Sequence, residues 1–213
     1  MTARRFGDRG QAFPIYIVVV AGLLFAALAF FAVGMAGATR SNAQGAADAG
    51  ALAAAREARD NAFLGLDLLT LTPADWEKIA NGDLLDGPGA CGKAIDFATL
   101  NDADAECEPA LPKFTVRVTT KGTVGNSVVP GTGDTKGKAT ATALIEPRCI
   151  LRSAPTPAPT PTATPAPSPS PSPSPPATSV TFVCGGKTLT LDPAKPGPLS
   201  RLTRALFSVR LVD

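Results

Sequence analysis

The chain has 213 residues, of which 18% are charged, a formal net charge of +2 and no histidine. The missing imidazole excludes a histidine base, a histidine-containing metal site and a Ser-His-Asp or Cys-His nucleophile. So small a net charge, with no basic stripe interleaved with aromatics, argues against a nucleic-acid partner.

From Gly10 to Thr39 no side chain carries a charge, and the centre of that run, Ile15 to Val33, is apolar throughout. At about 1.5 Å per residue, roughly 20 such residues cross a hydrocarbon core of about 30 Å. The apolar region of a cleaved secretory signal is shorter, about 7–15 residues, so the segment reads as a retained membrane helix. Arg4, Arg5 and Arg9 precede it, whereas Arg40 alone follows closely. The positive-inside bias then makes residues 1–10 a basic cytoplasmic leader and places the chain from about residue 41 outside. The expected location is the cell membrane, crossed once, with an extracytoplasmic C-terminal domain.

One helix is expected over residues 11–60, continuing past the membrane. Ser41 to Asp60 is dominated by alanine, the strongest helix former, and no proline falls between Pro14 and Pro73. Small residues recur at a four-residue step: Gly37, Ser41, Gly45, Ala49 and Ala53. A glycine inside a helix costs about 1 kcal/mol relative to alanine, and close approach of another helix backbone would account for its presence. An alanine-rich stretch also produces such spacings by chance, so both accounts of the ridge stand at this point.

Residues 61–152 read as a small extracytoplasmic α+β domain. Thr72 and Pro73 form an N-cap and first helical position for a short helix through Trp76 and Ile79, with Asn81-Gly82 and Gly87-Pro88-Gly89 punctuating its end. A second short helix is expected around Gly92 to Asn101. Lys113 to Val118 alternates, with Phe114, Val116 and Val118 on one face. Lys138 to Glu146 alternates likewise, with Ala139, Ala141, Ala143 and Ile145 together. These are predicted strands, joined by a loop at Val129 to Asp134.

Residues 153–178 form a linker or loop: Ala154 to Thr178 contains only Ala, Pro, Thr and Ser, a composition that favours extended polyproline II. Residues 179–213 are expected to pack on the 61–152 domain. Ser179 to Cys184 and Lys187 to Leu191 flank Gly185-Gly186 as a hairpin, and Leu206 to Val212 is a further strand. The fold class is therefore α+β: a long N-terminal transmembrane helix, then short helices and an antiparallel sheet stapled by disulfides.

Phe63, Trp76, Phe97, Phe114, Phe182 and Phe207 make a thin core for the outer part, and small domains with thin cores usually need staples. In an oxidising compartment Cys91, Cys107, Cys149 and Cys184 read as two disulfides. Four cysteines allow three pairings; Cys91–Cys107 and Cys149–Cys184 are favoured. The first would close the second short helix against the strand after it. The second would make the proline tract an excursion from one domain and return the hairpin to the sheet. Zinc is the rival, but there is no Cys-x-x-Cys knuckle. The carboxylates Asp83, Asp86, Asp102, Asp104 and Glu106 are candidates for acid–base work or calcium. The stretch Asn101 to Glu106 lacks the glycine turn and distal glutamate of an EF-hand loop, and solvated loop charges are the better reading. No enzymatic activity, cofactor, metal or small-molecule substrate is expected.

Two stretches carry a family resemblance: Asp8 to Ile17, including Gln11-Ala12-Phe13-Pro14, with the apolar run behind it, and Thr39 to Ala55. Over residues 8–60 they resemble the TadE/TadG-like Flp (tight adherence) pilus-assembly proteins of the type IV pilin-like superfamily, and the combination of Gln11-Ala12-Phe13-Pro14 with the proline-rich tail is similar to actinobacterial members. The resemblance implies a minor pseudopilin or assembly factor whose helix packs among other pilin-like subunits and platform proteins. It also implies cleavage by a prepilin peptidase after Gly10, leaving Gln11 first. The family pattern then has glutamate at the fifth position, where this chain has Ile15. The competing class is a membrane-tethered binding or adhesive domain, with the proline tract as a wall-spanning spacer.

Overall fold

Helix α1 (Ala12–Asp60) runs unbroken for 49 residues and joins the apolar run to the alanine-rich segment. The structure, a computed structural model, describes residues 12–85, 87–125, 133–155 and 179–212. The two halves of α1 have different surroundings. Between Phe13 and Met35 the large apolar side chains stand exposed, Phe25 and Phe30 at 80% each. The most apolar 18-residue window has a mean hydropathy of 2.7, so the helix is long and apolar enough to cross a membrane. From Ala43 onward alanines enter a core instead: Ala43, Ala46, Ala47, Ala51, Ala54, Ala55 and Ala58 are buried.

Helix α2 (Pro73–Asn81) begins and ends where its capping residues dictate. The Asp75 N–H donates to Thr72 Oγ1 at 3.3 Å, and the Thr72 N–H donates to the Asp75 carboxylate at 3.1 Å, a reciprocal capping box. Gly82 closes the helix in the left-handed region, φ 84°. Helix α3 (Pro88–Leu100) starts earlier than the expected Gly92, because Pro88 occupies a first-turn position where its missing N–H costs nothing. Gly87-Pro88-Gly89 therefore opens one helix as well as following another.

The strands are β1 (Ala103–Ala110), β2 (Lys113–Thr123), β3 (Lys136–Pro147), β4 (Cys149–Ser153), β5 (Val180–Cys184), β6 (Lys187–Leu191) and β7 (Phe207–Val212), with α4 (Leu199–Leu206) before the last. They form two antiparallel sheets, β1-β2-β3-β7 and β4-β5-β6, where one was expected. Pro147 has no N–H to extend the β3 ladder, and the Arg148 N–H donates to the Leu206 carbonyl at 2.8 Å, so the chain leaves the first sheet there. The hairpin β5–β6 pairs with β4, not with the first sheet. Its two glycines have φ 54° and 82°, as a tight turn of this hand requires.

The first sheet lays Phe114, Val116, Val118, Ala141, Ala143 and Ile145 into the core against α1. Under the second sheet, Trp76 meets Phe63 and Phe182 with ring centroids 6.2 Å apart in each pair. Phe97 is not a core residue; it is 44% exposed, because α3 turns Ala90, Ala94 and Ala98 inward. Disulfides join Cys91 to Cys107, tying α3 to β1, and Cys149 to Cys184, tying β4 to β5. Residues 156–178 and 126–132 lie outside the described residues, and with them most of the proline tract and of the Val129–Asp134 loop. The flanks of the tract are described, and Ser153 pairs with Thr181 in neighbouring strands.

Candidate functional site

Each helical residue turns the chain by about 100°, so a four-residue step overshoots a full turn by about 40°. A ridge of such steps winds around the helix, and this decides the fate of the small residues on α1. Gly37, Ser41 and Gly45 are exposed, Ala49 is half-buried, and Ala53 is buried in the core of the chain's own outer domain. The five do not form one surface. The first three share an open face, and the last two turn progressively into the chain's own outer domain.

The open face is smooth. A β-carbon built at Gly37 or Gly45 would meet nothing within 4 Å. Beside Gly45 the Gln44 side-chain amide donates to Asp48 at 2.7 Å, and the Thr39 hydroxyl donates to the Met35 carbonyl at 3.1 Å. These polar groups are thus satisfied along the helix. Ser41 and Gly45 also line a groove of ≈ 590 Å³ between α1, the turn after α3 (Leu100, Asn101, Asp102) and the end of β2 (Thr120, Gly122, Thr123).

The opposite face is closed by glycines that the sequence pattern did not single out. A β-carbon at Gly50 would stand 3.2 Å from the Ala94 carbonyl oxygen and 3.3 Å from Val116 Cγ1. One at Gly137 of β3 would stand 2.5 Å from the Thr39 carbonyl oxygen. Both positions let backbones approach where any side chain would hold them apart. The matching row Ala90, Ala94 and Ala98 on α3 was a readable signal for Gly50. For Gly137 no local signal exists, since its neighbour is nearly a hundred residues away in sequence.

Of the candidate carboxylates only Asp104 and Glu106 come together, on one face of β1, where they line a groove with Arg117 and Lys138. Asp83, Asp102, Asp104 and Glu106 are exposed, and among the described residues no group of three or more metal-ligating side chains gathers. Asp104 and Glu106 belong to β1, not to a loop; they alternate with Ala103, Ala105 and Cys107, which turn inward. Asp86, Gly10 and Gln11 lie outside the described residues. Two carboxyls elsewhere titrate low. The Arg210 guanidinium, bonded to Glu146 at 2.7 and 2.9 Å, holds that carboxyl below its ordinary range. Hydrogen bonds from Thr72 do the same for Asp75. The first pair clamps β7 to β3 and the second caps α2, so both are structural.

A family model described as Flp pilus-assembly TadE/G-like matches residues 10–57. The matched stretch covers most of α1, Ala12 to Glu57, and includes none of the strands. No curated protein and no solved structure matches the chain.

Proposed function

We propose that the chain is a membrane-anchored minor pseudopilin or assembly factor of a Tad/Flp-type pilus or secretion system, of the actinobacterial kind and within the type IV pilin-like superfamily. Its role is non-catalytic. The apolar half of α1 crosses the membrane once with the N-terminus in the cytoplasm, and the two-sheet domain stands outside. The family match over residues 10–57 supports a role in pilus assembly.

The observation that carries the finer reading is the division of α1 into two faces. Its inner face is used up by the chain's own domain, whereas Gly37, Ser41 and Gly45 leave an open strip of small residues just beyond the apolar run. Such a strip lets a second helix approach closely, which supports packing among pilin-like subunits. Cleavage after Gly10 belongs to this reading as well.

The alternative, a tethered adhesive domain on a wall-spanning spacer, loses support from the strand pairing. A spacer must separate two bodies, but the proline tract leaves from β4 and returns at β5, with Ser153 and Thr181 side by side.

A photo-crosslinking residue at Ser41, expressed in the native membrane, tests the proposal. It should capture another single-pass, pilin-like membrane protein. Crosslinks to lipid alone would reject the packing role.

A further inference from the structure

We propose that the membrane-facing end of the outer domain is a lipid-headgroup surface, in which exposed Arg40, Lys121, Lys136 and Lys138 engage the phosphates of anionic lipids in the leaflet from which α1 emerges. The proposal rests on the membrane reading of α1 given above.

The level of these residues follows from the helix. Ile15 to Val33 matches a hydrocarbon core of about 30 Å at about 1.5 Å per residue. Thr39 lies six residues past Val33, roughly 9 Å further along the helix. The headgroup layer adds about 5–8 Å on each side of the core, so Thr39 stands at its outer edge. Gly137 packs directly on Thr39 and Ala43, which brings the end of β3 down to the same height. Lys136 and Lys138 flank Gly137 and register with Thr123 and Thr119 of β2. Lys121 lies between those two threonines in β2, and its N–H donates to the Asp102 carbonyl at 2.7 Å.

Four cations from three elements thus share one level, and all are exposed. None of them lies within 4.0 Å of a carboxylate oxygen among the described residues. Asp102, Asp104 and Asp134 are at the same end, and Lys138 lines a groove on the outer face of the sheet with Asp104, Glu106 and Arg117, but these carboxylates sit on shorter side chains that keep the charge nearer the backbone. Lysine and arginine carry theirs on long stems that extend toward a surface. The groove beside α1 is lined by none of the four cations. They are spread out instead of converging on one cavity, which suits a planar array of phosphates better than a compact anion. Leu100, 79% exposed and on the same groove as Ser41, adds an apolar side chain at this level.

The test uses the full chain in lipid nanodiscs of phosphatidylcholine, alone or with an equal part of phosphatidylglycerol, and measures lysine acetylation rates by mass spectrometry. Lys187 and Lys195, on the second sheet and the loop after it, are internal references. In the phosphatidylglycerol discs Lys121, Lys136 and Lys138 should react about fivefold more slowly relative to the references, as expected for a lysine held at an anionic surface. The protection should vanish at about 1 M salt, where the screening length falls to about 3 Å. Equal relative rates in the two lipids would overturn the proposal while leaving the anchor intact. A chain that does not enter nanodiscs at all would overturn both.

Discussion

Gly45 and Gly50 lie five residues apart on one helix, and their surroundings are opposite. Around Gly45 a β-carbon would find open space; at Gly50 it would press on the Ala94 carbonyl oxygen at 3.2 Å. The same residue type therefore serves two purposes on α1. Gly50 lets α3 and β2 dock, while Gly45 has no neighbour at its β-carbon position and opens onto the groove beside α1.

Alanine at these positions separates the two roles. Gly45→Ala should stabilise the helix by up to about 1 kcal/mol, the intrinsic preference of alanine over glycine. Gly50→Ala should show none of that gain, because the neighbouring backbone must give way. Trp76 is the single tryptophan and is fully buried, so its fluorescence during denaturant unfolding of the full chain in detergent reports on the outer domain. Equal stabilisation by both variants would show that α1 and α3 are not in backbone contact.

Gly137→Ala carries the larger penalty. Its β-carbon would sit 2.5 Å from the Thr39 carbonyl oxygen, a backbone atom that cannot swing aside. Overpacking of this kind costs about 1–3 kcal/mol. An unfolding midpoint within error of wild type would contradict the contact between β3 and α1.

What could be read in advance follows a physical division. Local signals were reliable: the Thr72–Asp75 cap, the Gly185-Gly186 turn and the alternation of Phe114, Val116 and Val118 each depend on a few adjacent residues. β1 was hidden because its inward residues, Ala103, Ala105 and Cys107, are small, so the alternation with Asp104 and Glu106 looked like a charged loop. α4 is not among the expected elements, although Leu199, Leu202 and Leu206 recur at helical spacing in it. The split into two sheets depends on pairings of β4 with β5 and β3 with β7, distant in sequence, and local patterns do not encode them. The small-residue ridge was legible as spacing, but its winding from open face to core needs the position of the sheet.

The disulfides should contribute according to the loops they close. With separations of 16 and 35 residues, the loop-entropy relation gives about 3 kcal/mol for Cys91–Cys107 and about 4 kcal/mol for Cys149–Cys184. The Cys149→Ala/Cys184→Ala double variant should therefore lose at least as much stability as the Cys91→Ala/Cys107→Ala variant. Denaturant unfolding checks the order, and a negligible loss in both would remove the staple account.

Acid should weaken the domain through two carboxyls. Glu146 and Asp75 have folded-state pKa values below their ordinary ones. Each thus adds stability at pH above its unfolded-state value, and that contribution is lost as pH falls through the folded-state value. The raised pKa of Arg210 fits the same pair, since the guanidinium remains charged throughout. Carboxyl NMR titration should find both groups titrating low, and Arg210→Gln should return Glu146, but not Asp75, to the ordinary range. An unchanged Glu146 in that variant would contradict the clamp between β3 and β7.

Gly45→Leu probes the proposed packing of a pilin-like helix on the open face of α1. Leucine is a better helix former than glycine by most of about 1 kcal/mol, its β-carbon would meet nothing in this chain within 4 Å, and the groove beside α1 has room for the rest of the side chain. The outer domain should therefore unfold at or above the wild-type midpoint. The same side chain would push a partner helix away and remove the close backbone contact. Co-purification of pilin-like membrane proteins with the variant, measured against wild type from the native membrane, is the decisive experiment. Loss of those partners with the fold intact is the expected result; full recovery of the partners by the Gly45→Leu protein would rule out packing through this face.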